Sequence, residues 1–312
     1  PEKLIFLLHV NSDLHLQSIY KVSTKTSCIL YSLLVYSIMS SNLNTIKFNL
    51  ADACDSLNDP IPNPGSKAKP KTKTKTKVPP TPLRLVHNDT NEYEIGIDEA
   101  GRGPMFGRLY VAGVVLPKEE SFDISQIKDS KKYSSKKKIQ EVYEFIKTHA
   151  LAYHVHYAEA AHIDKINIRQ AVLEGMRTCA KEIMASLSSI NPSKSSSFHN
   201  KYFIMIDGDD FKPYTYFDEN TNTIQTVPHD TFVGGDRTYV NIAAASILAK
   251  VERDNYIAEL CKQHPLLVER YGMDTHMGYG TKKHLDGIDT HGITQYHRKT
   301  YGRCKEATLN PV

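Results

Sequence analysis

The sequence predicts one α/β domain that begins near Glu92 and follows a long tail. Two observations carry this. From Glu92 onward, short runs rich in β-branched and aromatic residues alternate with stretches of helical period, and no internal repeat interrupts them. Before it, Pro60, Pro62, Pro64, Pro70, Pro79, Pro80 and Pro82 punctuate a polar segment that includes an alternating lysine tract at 67–77. Such a composition cannot bury a core.

The elements follow in order. Glu94–Ile97 and Leu109–Leu116 read as strands joined by the turn at Gly101–Pro104, and Pro117 ends the second. Ser134 or Ser135 can cap a helix whose apolar face is Ile139, Val142, Tyr143 and Ile146. Leu151–Tyr157 has strand composition. Val172, Met176, Cys179, Ile183 and Leu187 mark a long helix that dissolves into the serine-rich segment Ser186–Ser197. Tyr202–Ile206 is a buried strand with Asp207 at its C-terminal end. A helix runs from about Val240 to about Cys261, and the small residues Ala243–Ser246 suit close packing on a sheet. A last helix starts near Thr281.

With 40% hydrophobic residues in 312, the chain can bury at least one full core. The net charge of +4 is unevenly spread, because the lysine tract alone holds six of the basic residues. Bulk charge therefore does not identify a nucleic-acid binder. The tract is a spacer, a localisation signal or a nucleic-acid contact. Five cysteines, with no Cys-x-x-Cys pair, argue against a zinc site or disulfide framework and fit a reduced intracellular compartment. The apolar run Cys28–Met39 is shorter than the ~20 residues a spanning helix needs, so no membrane association is expected. The chain starts with Pro1 and its first methionine is Met39. We expect residues 1–38 to be upstream sequence rather than a working part.

Four carboxylates sit where chemistry would place them. Asp98 and Glu99 are adjacent and precede Gly101-Arg102-Gly103. Neighbours on a strand point to opposite faces, so one can reach a ligand from the sheet face and the other from the strand end. Asp207 ends a strand, and Asp236 follows Gly234-Gly235 ahead of the small-residue helix. Singly, each has an ordinary alternative: an acidic turn for Asp98-Glu99, an Asx-turn for Asp207, a helix cap for Asp236. Together they repel one another unless cations intervene. An all-oxygen donor set suits Mg²⁺ or Mn²⁺, and two such ions about 4 Å apart serve phosphodiester cleavage.

Gly96-Ile97-Asp98-Glu99-Ala100-Gly101-Arg102-Gly103-Pro104, Asp129-Ser130-Lys131-Lys132, Ile206-Asp207-Gly208, Gly235-Asp236, Ala243 to Asp254, Gly278-Tyr279-Gly280-Thr281-Lys282-Lys283-His284 and His297-Arg298 occur in this order. In that set the chain resembles ribonuclease HII over about residues 93–301. The resemblance implies a ribonuclease H-like fold: a mixed five-stranded sheet flanked by helices, with a helical C-terminal extension. It places a catalytic domain at 91–305 between tails at 1–90 and 306–312. It implies an endonuclease that uses two divalent cations, Mg²⁺ or Mn²⁺. The enzyme would hydrolyse the RNA strand of RNA–DNA hybrids and cut 5′ of ribonucleotides embedded in duplex DNA, leaving 3′-hydroxyl and 5′-phosphate ends.

Carried over by motif, Asp98, Glu99, Asp207 and Asp236 are the metal-binding acids. Asp254 is the alternative fourth acid. Gly101, Arg102 and Gly103 would read the ribose 2′-hydroxyl, and Tyr279 would stack on the next sugar. Lys131, Lys132 and Arg298 are candidate phosphate contacts. Three departures stand out: Met277 where many relatives have lysine, Arg108 where proline is common, and a long segment between Asp207 and Asp236. The Gly-Tyr-Gly-Thr form resembles single-subunit members, so activity as a monomer without accessory subunits is expected. Another nuclease or transposase of the same fold would share the acids without needing Gly-Arg-Gly and Tyr279. A non-catalytic binding module would not need all four acids.

Overall fold

Two apolar runs joined by a glycine turn form the middle of the sheet, as β1 (Tyr93–Ala100) and β2 (Leu109–Val115). The structure is a computed structural model that describes residues 82–190, 201–219 and 221–312. The lysine tract, the apolar run at 28–39, residues 1–38 as a whole and most of the serine-rich segment lie outside the described residues.

After β2, the 3-10 turn Ser130–Lys132 leads to α1 (Lys136–His149). Ser135 caps α1, its side chain accepting from the Lys138 N–H, and Ile139, Val142, Tyr143 and Ile146 form the buried face as their spacing predicts. Then come β3 (Ala152–Ala158), α2 (Ala160–Ile166), α3 (Ile168–Ile190) and β4 (Tyr202–Asp207). Between Asp207 and Asp236 lie the hairpin β5 (Thr215–Asp218) and β6 (Thr223–Thr226), and then β7 (His229–Phe232). The remaining helices are α4 (Val240–Gln263), α5 (Leu266–Tyr271), α6 (Met273–His276) and α7 (Lys282–His291).

The main sheet has the order β3-β2-β1-β4-β7. β1 and β2 are antiparallel, as are β2 and β3, while β1, β4 and β7 run parallel. This is the expected mixed five-stranded sheet. One face carries Ile95, Ile97, Ile204 and Ile206 and packs against Val172, Met176, Cys179 and Ile183 of α3. The other packs against α4, whose first ten residues are all buried between the sheet and α1. α4 approaches β1 so closely that a Cβ on Gly96 would lie 2.6 Å from the Asn241 Cβ. A third cluster, with Phe106, Ile257, Leu267, Tyr271, Met273 and Ile288, forms the helical C-terminal part.

The folded contacts extend past both ends of the 91–305 span. Leu83 and Leu85 pack on the α4 cluster, and the Arg84 N–H donates to the Thr238 carbonyl at 2.8 Å. At the other end the Ile293 N–H donates to the Thr308 carbonyl at 2.8 Å, and Val312 packs on the C-terminal cluster. Residues 306–312 are therefore held by the domain. No helix of the described residues is long and apolar enough to cross a membrane.

Candidate active site

The acids gather at the C-terminal ends of β1 and β4, the end of a parallel pair where α/β proteins assemble sites. Ile97 pairs with Ile206, so Asp98 and Asp207, each one residue further on, stand abreast on neighbouring strands. Asp98 is on the α4 face and Glu99 on the opposite one, as the pleat requires. β1 runs through both residues to Ala100. Asp207 makes no local turn: its Oδ1 accepts from the Gly235 N–H at 2.7 Å, which draws the Gly235–Arg237 turn up to β4. Asp236 lies within that turn. Tyr239 occupies the cap position of α4, so Asp236 does not cap the helix.

Electrostatics tie the four together. Asp98 is 6% exposed, and burial first, then Asp207 and Glu99, hold its carboxyl well above the ordinary carboxylate range. Hydrogen bonds from Ser246 and the Glu99 N–H act the other way. Glu99 is raised by burial; Arg102 lowers it and Asp207 raises it. Asp236 is raised by burial and then by Asp207 and Asp129, against Lys131 and Arg237. Asp207 is thus the common neighbour of the other three. Asp254 is paired with Lys250 at 2.7 Å.

Among the described residues, no three His, Cys, Asp or Glu side chains are gathered closely enough to hold an ion as they stand. Three of the acids have other partners in this arrangement. Asp98 Oδ1 accepts from the Glu99 N–H at 2.7 Å, Glu99 lies 3.5 Å from Arg102, and Asp236 lies 3.8 Å from Lys131 and 3.7 Å from Arg237. The donor chemistry nonetheless fits hard divalent cations. The donors are carboxylate oxygens, and mutual repulsion that raises their proton affinity is relieved by positive charge.

The turn after β1 is bracketed by two buried arginines. Gly101 has φ +91°, and its Cα rests on Arg253. Arg253 donates to the Met277 carbonyl at 2.8 Å and the Phe106 carbonyl at 3.3 Å. Arg298 corrects an expectation. It is fully buried, and its guanidinium donates to the carbonyls of Gly101, Arg102, Pro104 and Gly107. A side chain so enclosed is a loop fastener, not a surface phosphate contact. Lys131 and Lys132 are exposed, and Lys131 stands beside Asp236. The Asp129 side chain accepts from the Lys131 N–H, and Ser130 meets Ser246 of α4 at 3.1 Å.

Tyr279 lies across from the turn. The residue is 53% exposed, and a Cβ on Gly103 would lie 3.8 Å from its Cε1. Met277 and Gly278, both in left-handed conformations, deliver it there. Arg108 is held by Glu159 and sits over the rings of Tyr157 and Tyr256 at 4.1 and 4.4 Å. Sequence reasoning gave no role to Ser246, Arg253, His284 or His297. The available signal was an arginine within an otherwise well-buried helix and two histidines inside recognised motifs.

Comparison with known proteins supplies the family. The Ribonuclease HII family model matches residues 95–304. Ribonuclease HII of Parabacteroides distasonis is 37% identical over 219 residues, covering 70% of this chain and 94% of that protein. Ribonuclease HII of Oceanobacillus iheyensis is 36% identical over 215 residues, covering 69% and 70%. Among solved structures, the PCNA:RNase HII complex from Archaeoglobus fulgidus aligns over 67% of this chain and 95% of that one, with 24% identity and a TM-score of 0.47. On the extent of the family match and the identity to these relatives, the chain belongs to the ribonuclease HII family, metal-dependent endonucleases that act on RNA–DNA hybrids.

Proposed function

We propose that this enzyme incises duplex DNA on the 5′ side of an embedded ribonucleotide, as well as the RNA strand of hybrids, leaving 3′-hydroxyl and 5′-phosphate ends. The observation that carries the reading is the exposed Tyr279 set opposite Gly103 beside the four acids, where a slot for the ribonucleotide would lie between turn and ring. A 2′-hydroxyl both donates and accepts, and a glycine turn lets backbone groups approach it closely. Tyr279 would cover the following sugar with its ring face. A deoxyribonucleotide at the same place would leave the turn's polar groups unanswered, a penalty that discriminates strongly.

Asp98, Glu99, Asp207 and Asp236 would hold two divalent cations, Mg²⁺ or Mn²⁺. Bound there, the cations would supply a nucleophilic water and stabilise charge on the scissile phosphate. The chain's own groups do the rest. Arg102, now 3.5 Å from Glu99, would release it as the site fills, and Lys131, 3.8 Å from Asp236, and the exposed Lys132 would meet the polyanion. All of these groups come from one chain, which supports activity as a monomer.

The test is a set of labelled duplexes with Mg²⁺ or Mn²⁺. One carries a single ribonucleotide, one is a uniform hybrid and one is all DNA. The first two should be cut, the single-ribonucleotide duplex at one position with a 5′-phosphate on the downstream fragment. Cutting of the all-DNA duplex at a comparable rate would refute the 2′-hydroxyl reading.

A further inference from the structure

The adjacent buried residues His297 and Arg298 reach both walls of the proposed ribonucleotide slot. On one side, Arg298 Nε donates to the Gly107 carbonyl at 3.0 Å. Its Nη1 donates to Arg102 at 3.1 Å and Pro104 at 2.8 Å, and its Nη2 to Gly101 at 2.6 Å. Four of the five guanidinium N–H groups are thus spent on carbonyls of one turn, a span that the three donors of a lysine cannot reproduce.

On the other side, His297 Nδ1 accepts from the Thr294 N–H at 2.9 Å. A backbone N–H can only donate, so the His297 proton must sit on Nε2. That atom lies 3.1 Å from His284 Nε2. His284 Nδ1 lies 2.9 Å from the Tyr279 carbonyl, which can only accept. The ring protons are therefore ordered along one chain: Thr294 N–H to His297, His297 to His284, His284 to the Tyr279 carbonyl. Both rings must be neutral for this, and burial lowers both, His284 to about 4 and His297 to about 3. The backbone closes the frame. The Arg298 N–H donates to Met105 at 2.8 Å, and the Met105 N–H to Gly278 at 3.0 Å.

We propose that His297-Arg298 is a positioning unit that holds the Gly101–Gly103 turn and Tyr279 in register, and so sets the preference for cutting at a ribonucleotide-to-DNA junction. This rests on the reading of the slot given under Proposed function. Arg298 holds the wall that senses the ribose. His297 acts through His284 on the wall that senses the next sugar. Neither side chain touches substrate.

The experiment maps cut positions in a duplex carrying a short ribonucleotide tract that ends in DNA, alongside the single-ribonucleotide duplex. It uses the full chain and its His284→Leu, His284→Asn and Arg298→Lys variants. His284→Leu removes the donor to Tyr279 and should spread cutting through the tract, lowering the junction-to-interior ratio roughly tenfold, the scale of loss that misplacement of a binding group produces. His284→Asn keeps an N–H near the Nδ1 position and should retain most of the ratio. Arg298→Lys should lower kcat on the single-ribonucleotide duplex far more than it changes KM.

A folded His284→Leu variant with the wild-type cut distribution overturns the proposal. Should that variant not fold, Arg298→Lys decides, and unchanged kcat overturns the proposal. Wild-type enzyme that shows no junction preference overturns the reading of Tyr279 itself, and the proposal with it. Wild-type enzyme with the preference and a folded His284→Leu variant that keeps it in full overturn the proposal alone.

Discussion

Gly101 rests directly on Arg253: a Cβ there would lie 2.5 Å from the Arg253 Cδ, and the backbone φ of +91° already disfavours any side chain. Gly103, two residues on, has ordinary φ, and its Cβ would meet only the Tyr279 ring at 3.8 Å. The two glycines therefore have different tasks. Gly101→Ala should cost roughly 1–3 kcal/mol in backbone strain alone. It must also displace Arg253 from the Met277 carbonyl. Its melting temperature should fall, and cleavage of a single-ribonucleotide duplex should fall about a hundredfold. Gly103→Ala should melt like wild type and lose activity by narrowing the slot. Melting curves and kcat/KM for both variants check this, and equal losses of stability would contradict it.

The acid cluster makes a paired prediction about stability and catalysis. Asp98 is raised by burial and by Asp207 and Glu99, so its folded carboxyl holds a proton more tightly than the unfolded one. Ionisation as pH rises through the folded value therefore costs stability when no cation is present. Asp98→Asn removes that charge, and its Oδ1 can still accept the Glu99 N–H. In chelator at pH 8 the variant should melt at or above wild type while cleaving at least about a hundredfold more slowly. Added Mg²⁺ should raise the melting temperature of wild type more than that of the variant. A clear destabilisation of Asp98→Asn in chelator would count against a repulsive cluster.

Much of this was legible before the structure. Ile139, Val142, Tyr143 and Ile146 announce α1 by spacing, and a strand running into Asp98-Glu99 and a glycine turn announces the site. What was not legible depends on distant partners. Arg298 reads as a surface cation because nothing near it in sequence shows that four carbonyls from residues 101–107 enclose it. β5, β6 and β7 have four residues each, too short for an alternation to register. The anchoring of residues 306–312 depends on pairing with Ile293, which a local reading cannot foresee.

The histidine pair predicts an acid limb to stability. Burial holds His284 at about 4 and His297 at about 3, whereas an unfolded histidine titrates near 6.5. The stabilisation they represent is complete above about pH 6.5 and is lost as pH falls toward 4 and then 3, because the unfolded chain takes up protons the folded pair refuses. The raised acids Asp98, Glu99 and Asp236 act in the opposite sense on acidification, so the variant comparison isolates the histidines. Denaturant midpoints of wild type and His284→Asn at pH 7.5, 5.5 and 4.5 should converge as pH falls. A constant difference would show that His284 does not stay neutral.

The N-terminal boundary of the enzyme should fall between Val78 and Glu92. The Arg84 N–H and carbonyl pair with Thr238 and Val240, which flank Tyr239 at the start of α4. His87 stacks on Phe203 at 5.1 Å and its Nδ1 meets the Tyr239 hydroxyl at 3.0 Å. The Glu94 carboxylate accepts from the His87 and Asn88 N–H groups. These contacts buttress the segment just after Gly235–Arg237, the turn that presents Asp236. A chain starting at Val78 should match the full chain in melting temperature and in kcat on short duplexes. One starting at Glu92 strips Leu83 and Leu85 from the core and frees Tyr239, so it should melt several degrees lower and lose kcat through Asp236. Equal melting of the two shortened chains would show that residues 83–88 do not support the site.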